Sequence, residues 1–381
     1  MQALRIRRTW SSRLLVVIFM VTGGWSIADA QQSQGVTVPT VFAPFDPTAP
    51  SCSPPEHLRS VLAFAKDNER EFVESIDLGL SLAARDRGLE YRVALAANDS
   101  ALMIDQLEVF HEDGIGGVVV SPVDPGMLAS SLQNLIWSGS YVGTVVAPPA
   151  TSLLNAPQYL AGKTLATAAA DHIRSVFDGR ANVVLLTQDS IQFLTPRFAA
   201  MRDVLSTLPE VRIVADISPS PVSKEGGLAM MRTILIAHPN IDVVLGADGV
   251  VLGALQALRE AGKDRPDQFL GGIDGEPEAV AEIRSGGPYK VSIALNSAVF
   301  GYAMGQHAAD WLEGRPIPQA MDILPRALTI ANLDAYEADL ADPGAVYADP
   351  VRRDSYLRMY GGICYSTGQN YVNFPWSSEA N

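Results

Sequence analysis

From residue 59 onward, short apolar runs alternate with longer stretches in which apolar residues return every three or four positions. The short runs at 59–65, 91–97, 117–121 and 141–146 are rich in Val, Ala and Leu, so they predict strands. The stretches at 71–87, 101–113 and 126–138 between them carry the helical period. A second series follows. Helices are expected at 158–177, 196–207, 223–237, 250–261 and 277–284, and strands at 182–187, 211–217, 242–246, 269–273 and 291–295. A helix at 297–312 and a short strand ending at Ile330 close it. This βα alternation demands parallel sheets with helices on both faces, and the simplest reading is two Rossmann-like units in one chain. The break falls in APPATSLLNAP, where Pro148, Pro149 and Pro157 exclude a continuous helix or a central strand. Residues 31–56, rich in Pro, Ser and Thr, read as an extended leader.

In open parallel sheets, ligands bind outside the carboxyl ends of the strands. Polar residues collect there: Asp67 and Asn68, Asn98 and Asp99, Ser121 and Asp124, Gln188 and Asp189, Asp248, Asp274 and Asn296. Converging polar side chains are what a receptor needs to pair a ligand's hydroxyls or amines once water leaves. Each also has a local reading as a helix N-cap or turn residue, where Asp, Asn and Ser are favoured regardless of ligand. Asp274, ending the strand of GGIDGE, is the strongest candidate.

The first thirty residues predict export. Arg5, Arg7, Arg8 and Arg13 make a basic start, Leu14 to Val21 is unbroken apolar sequence, and Ala28-Asp29-Ala30 fits a cleavage site. Gly23 and Gly24 interrupt the apolar stretch, which is short for a membrane span of ~20 residues. The Arg7-Arg8 pair leaves the twin-arginine route open beside the general one. No cysteine lies at the cleavage point, so a soluble periplasmic protein without a lipid anchor is expected. Removing four arginines and Asp29 from 28 basic and 42 acidic residues leaves 24 and 41, a net charge of −17. Nucleic acid is a poor partner for such a surface. Cys52 and Cys364 are the two cysteines; in an oxidising compartment a disulfide between them is natural, the alternative being two free thiols. His57, His111, His172, His238 and His307 have no metal-site spacing, and the sequence offers no nucleophile–base pair. Neither a cofactor, a metal nor an enzymatic activity is expected.

The stretch NIDVVLGADG, then VVLGALQALREAG, then a strand ending in GGIDGE resembles the ribose-binding type of periplasmic solute-binding proteins, and the resemblance covers about residues 58–330. It implies a type I periplasmic binding protein fold: two doubly wound parallel-sheet lobes, a multi-strand hinge crossed three times, and a ligand between the lobes. The expected division is a signal peptide at 1–30, a leader at 31–56, lobe 1 at 57–154 plus 296–324, lobe 2 at 155–295 plus 325–342, and a C-terminal extension at 343–381. The implied ligand contacts are Asn68, Phe72, Ser121, Asp124, Ala147, Gln188, Arg197, Asp248, Asp274 and Asn296. For Arg197 a surface position near its helix start is an equal reading, since RFAAM departs from the family's pattern there. DNEREF replaces the usual pair of ring-stacking aromatics, and Ala147, Pro148, Ala247 and Leu295 stand where sugar receptors commonly carry polar groups. Each missing hydrogen bond to a buried hydroxyl costs about 1–3 kcal/mol, so the ligand is expected to be less polar than, or shaped differently from, a common aldose. The implied function is a monomeric periplasmic receptor that delivers this ligand to an ABC permease. The alternative is a periplasmic sensor that presents it to a membrane signalling receptor.

Overall fold

The computed structural model describes residues 40–145 and 148–380. The expected signal peptide, the leader before Thr40 and Ala147 lie outside the described residues.

The first series builds β1 (Arg59–Lys66), α1 (Glu71–Arg87), β2 (Glu90–Leu95), α2 (Ser100–Glu112), β3 (Ile115–Val120), α3 (Pro125–Trp137) and β4 (Tyr141–Val145). The supposed break then contributes a strand of its own, β5 (Ser152–Asn155). β5 is wholly buried and pairs in parallel with β4 on one side and with β11 (Ala320–Ile323) on the other. The expectation that prolines exclude a central strand is therefore corrected. Pro148, Pro149 and Pro157 all fall outside its four residues, so none of them needs to donate to the ladder.

The second series gives α4 (Gln158–Val176), β6 (Arg180–Leu186), α5 (Thr195–Ser206), β7 (Glu210–Ile217), α6 (Lys224–Ala237), β8 (Val243–Gly246), α7 (Asp248–Glu260), β9 (Phe269–Ile273), α8 (Pro277–Arg284) and β10 (Tyr289–Ala294). After α9 (Ser297–Leu312) and β11 the chain runs into β12 (Arg326–Leu328), antiparallel to β10. Among the described residues, with β13 at Leu357–Tyr360, the sheet orders are β13-β11-β5-β4-β3-β1-β2 and β12-β10-β9-β8-β6-β7. The parallel cores share one plan, in which the second strand flanks the first and the third lies on the first strand's other side. The order thus reverses between β1 and β3 and again between β6 and β8, and a crevice opens at such switch points. β3, with the sequence IGGVVV, is buried at every position, as a strand covered on both faces must be.

The chain passes between the sheets after Asn155, after Ala294 and after Ile323, then once more. Residues 331–381, which no sequence pattern assigned, fold as α10 (Leu333–Ala341), α11 (Pro343–Ala348), α12 (Pro350–Asp354) and β13 (Leu357–Tyr360). β13 returns to the first sheet as an antiparallel edge on β11. The leader packs there too: Phe45 N donates to Met359 O (3.0 Å), and the Trp376 indole donates to Thr40 O (2.9 Å). Cys52 and Cys364 form a disulfide with Cα atoms 6.4 Å apart, joining leader to tail across 312 residues of sequence. Among the described residues no helix is long and apolar enough to cross a membrane.

Candidate ligand-binding cleft

At the carboxyl end of β1 the chain turns through Asp67 to Arg70 into α1. Asp67 is buried; its Oδ1 accepts from Ser121 Oγ (3.0 Å), and its Oδ2 accepts from Asn68 Nδ2 (2.8 Å) and Arg70 Nη2 (2.9 Å). Asn68 Oδ1 accepts from the Arg70 backbone and Nε, while its Nδ2 also reaches Asn98 Oδ1 (3.2 Å). Asp67 thus locks together two of the expected contacts, Asn68 and Ser121, and leaves the exposed Arg70 at the rim. Lys66 beside it donates to Glu74 (2.5 Å) and Asp77 (3.1 Å). Phe72 is half-buried against the core. Asp124 is exposed and caps α3 by accepting from Gly126 N and Met127 N. Asn296 is buried and caps α9 through Val299 N, and its Nδ2 has no partner among the described residues.

In the second lobe two strand-end aspartates have different surroundings. Asp248, first residue of α7, is fully buried. Its Oδ1 accepts from the Tyr289 hydroxyl (2.7 Å), and its Oδ2 accepts from Ser292 Oγ (2.6 Å) and Glu276 N (2.9 Å). Gly272 makes this possible, because a Cβ there would sit 1.8 Å from Asp248 Oδ1 and 2.2 Å from the Tyr289 hydroxyl oxygen. Burial, then the charge of Asp274, push the Asp248 carboxyl up to about 6 against its three donors. Asp274 ends β9 with φ of +129° and keeps 47% of its side chain open. A non-glycine residue in that backbone region is uncommon and costs strain on the order of 1–3 kcal/mol, a feature concentrated at binding sites. The tight surroundings raise its carboxyl, Arg197 opposes this, and Glu276 adds to it.

Arg197 lies 3.7 Å (Nη1) from Asp274 Oδ1 and is 5% exposed, which removes the surface reading. Its Nε donates to Gln158 Oε1 (3.0 Å), the one side-chain hydrogen bond it makes among the described residues. Burial disfavours its charge and prevails, with Asp274 and then Asp248 opposing it. Gly162 on α4 allows this placement, since a Cβ there would lie 1.8 Å from the Arg197 carbonyl oxygen.

A cavity of about 390 Å³ opens on this face, lined by Gln188, Ser223, Lys224, Ala247, Asp274 and Glu276 among others. The second lobe therefore brings together three expected contacts, Gln188, Arg197 and Asp274, and holds Asp248 behind them. Ser223, Lys224 and Glu276 were missed; only the Glu of GGIDGE was signalled, by its place after Asp274. Glu276 is half-buried and raised by burial and by Asp248, with Glu71 of the first lobe also pushing it up.

The description of a periplasmic binding protein domain matches residues 61–316, two-thirds of the sequence. The chain belongs to that family. The chain is accordingly a solute-binding protein and not an enzyme. It is 24% identical over 262 residues to the ribose import binding protein of Bacillus subtilis, covering 66% of this chain and 80% of that one. It is 26% identical over 269 residues to the xylitol-binding protein of Mycolicibacterium smegmatis, covering 67% and 73%. An ABC transporter solute-binding protein of Bacillus halodurans solved with myo-inositol superposes with a TM-score of 0.61 at 20% identity, over 74% of this chain and 99% of that one. At that identity it carries the fold alone, two α/β lobes of the type I periplasmic binding protein.

Proposed function

We propose that the chain is an exported, monomeric receptor that closes its two lobes on a small polyhydroxylated ligand and delivers it to an ABC permease. The observation that carries this reading is Arg197 paired with Asp274 at the carboxyl end of β9, beside Gln188. A carboxylate accepts from two neighbouring hydroxyls while a guanidinium donates to a third, and each such bond strengthens once closure expels water. The Asp67–Asn68–Arg70 turn supplies the facing polar rim. Asp248 acts behind the contact layer, because all its nearby donors come from its own lobe.

Relatives that bind ribose, xylitol and myo-inositol support an open-chain or cyclic polyol of five or six carbons. Ala247 on the cavity wall supports a ligand with one less polar face. Residues 1–30 supply the export signal. A thermal-shift panel of ribose, glucose, galactose, xylose, xylitol and myo-inositol tests the class. A ligand at 100 times its Kd adds about 2.7 kcal/mol of stability. A polyol or cyclitol should raise the melting temperature by several degrees more than any of the four aldoses, whereas no response across the panel contradicts the proposal.

A further inference from the structure

The cleft of the second lobe carries more negative charge than its own cations neutralise, and that surplus narrows the kind of ligand it takes. Asp248 begins α7, Asp274 follows β9, and Glu276 stands two residues later at the start of α8. The Glu276 carboxylate lies over Gly249, where a Cβ would sit 3.4 Å from its Oε1 and 3.6 Å from its Oε2. The Glu276 backbone N donates to Asp248 Oδ2 (2.9 Å), and the Glu276 charge helps raise the Asp274 carboxyl, so the three groups are within electrostatic reach of one another. Asp274 and Glu276 are on the cavity wall.

The neighbouring cations are already paired. Lys224, on the same wall, donates to Glu278. Arg197, 3.7 Å from Asp274 Oδ1, is the one cation within 4.0 Å of any of the three carboxylates among the described residues. Asp248 takes three uncharged donors, and Glu276 makes no ion pair among the described residues. Burial, then Asp248, raise the Glu276 carboxyl, and the Gly249 backbone only partly opposes them. Across the cleft, exposed Glu69 and Glu71 have no ion pair among the described residues either, while Arg70 is held by Asp67 (2.9 Å). No three acidic or histidine side chains come together as metal ligands among the described residues, which turns the reading from a divalent cation to an organic one.

Arg197 is an independent pointer to a ligand. Its side chain is 6% exposed, its Nε donates to Gln158 Oε1, and its two terminal nitrogens make no hydrogen bond among the described residues. Leaving buried donors unpaired costs about 1–3 kcal/mol, so a ligand oxygen belongs there. A ligand carboxylate would add back the negative charge that an ammonium removes; a hydroxyl would not.

We propose that the cleft selects an aminated polyol, its ammonium seated between the carboxylates of Asp274 and Glu276 and its hydroxyls on Arg197 and Gln188. This deepens the polyol reading above and rests on it. An ammonium has three N–H donors, so one group serves both carboxylates through charge-assisted bonds, about twice as strong as neutral ones. Calorimetric titration of the full chain at neutral pH tests it with matched ligands: xylitol against its terminal amino analogue, myo-inositol against inosamine, and each amine against its uncharged N-acetyl derivative. At least one amine should bind tenfold or more tighter than its parent polyol, and acetylation should remove that gain. Glu276→Gln should lower the amine-to-polyol affinity ratio at least fivefold; the ligand comparison on the unmutated protein decides the matter even if that variant folds poorly. If in both pairs the polyol binds as tightly as its amine, the inference falls and the polyol reading stands. If the N-acetyl derivatives bind as tightly as the amines, the charge is not read and the inference falls as well. An unchanged ratio in a folded Glu276→Gln variant overturns the seat assigned to the ammonium, and no binding by any of these ligands removes both readings.

Discussion

Asp248→Asn isolates a buried charge whose energetic signature is a pH dependence. The wild-type carboxyl is fully buried and titrates at about 6, whereas in the unfolded chain it titrates near 4. Below pH ~4 the group is protonated in both states and contributes nothing. As pH rises further, the unfolded chain ionises freely while the native carboxyl holds its proton until about 6, so unfolding releases a proton and stability falls. A shift of ~2 pH units at ~1.4 kcal/mol each amounts to about 3 kcal/mol, fully developed above pH ~6. Asn keeps the shape beside Gly272 and cannot ionise. Urea unfolding of both proteins at pH 4, 5, 6 and 7 should therefore show the wild type losing about 3 kcal/mol relative to the variant across that range. A stability difference that stays constant from pH 4 to 7 refutes the argument. The variant should still respond to whichever ligand stabilises the wild type.

Gly162→Ala should force α4 and α5 apart, because the new methyl would lie 1.8 Å from the Arg197 carbonyl oxygen. A stability loss of about 1–3 kcal/mol with a larger loss of ligand-induced stabilisation is expected in paired melts, and wild-type behaviour in both would contradict it. The Cys52–Cys364 bridge predicts no titratable thiol in the untreated protein and a loss of up to ~5 kcal/mol on reduction, by the chain-entropy estimate for a loop this long; two reactive thiols in the native protein would refute the pairing. Burial, and then the charge of Arg353, push the His307 imidazole down to about 3, so the native state holds it neutral. That stability is present above pH ~6.5 and is lost as pH falls toward 3, and His307→Gln should flatten the acid limb of the stability curve; an unchanged limb counts against it.

The βα alternation was legible because strands such as IGGVVV, buried on both faces, and helices with a strong apolar stripe have distinct periods. β5 was hidden by its own brevity: four residues between prolines look like a broken loop until β4 and β11 flank them. The tail was hidden because its short helices and single strand gain order from the leader, the disulfide and β11, none of which is a local signal. In the site, the sequence placed Asp248 and Asp274 alike at strand ends. Gly272 separates them: the space it leaves lets Asp248 sink onto Tyr289 and Ser292, while the backbone turn at Asp274 holds that carboxylate in the open beside Arg197. Arg197 itself could not be sorted from a surface residue, because its burial depends on the close contact with Gly162, thirty-five positions earlier in the chain.

The central claim is that Asp274 and Arg197 hold a polyol in the cleft. Isothermal titration of wild type and Asp274→Ala with the ligand that emerges from the polyol panel tests it most directly. The account predicts one site per chain in the wild type, affinity lowered at least a hundredfold in the variant, and a ligand-free melting temperature that changes little, since the lost 3.7 Å ion pair to Arg197 is offset by removal of a carboxylate whose charge its surroundings disfavour. Equal affinity in the two proteins would contradict it.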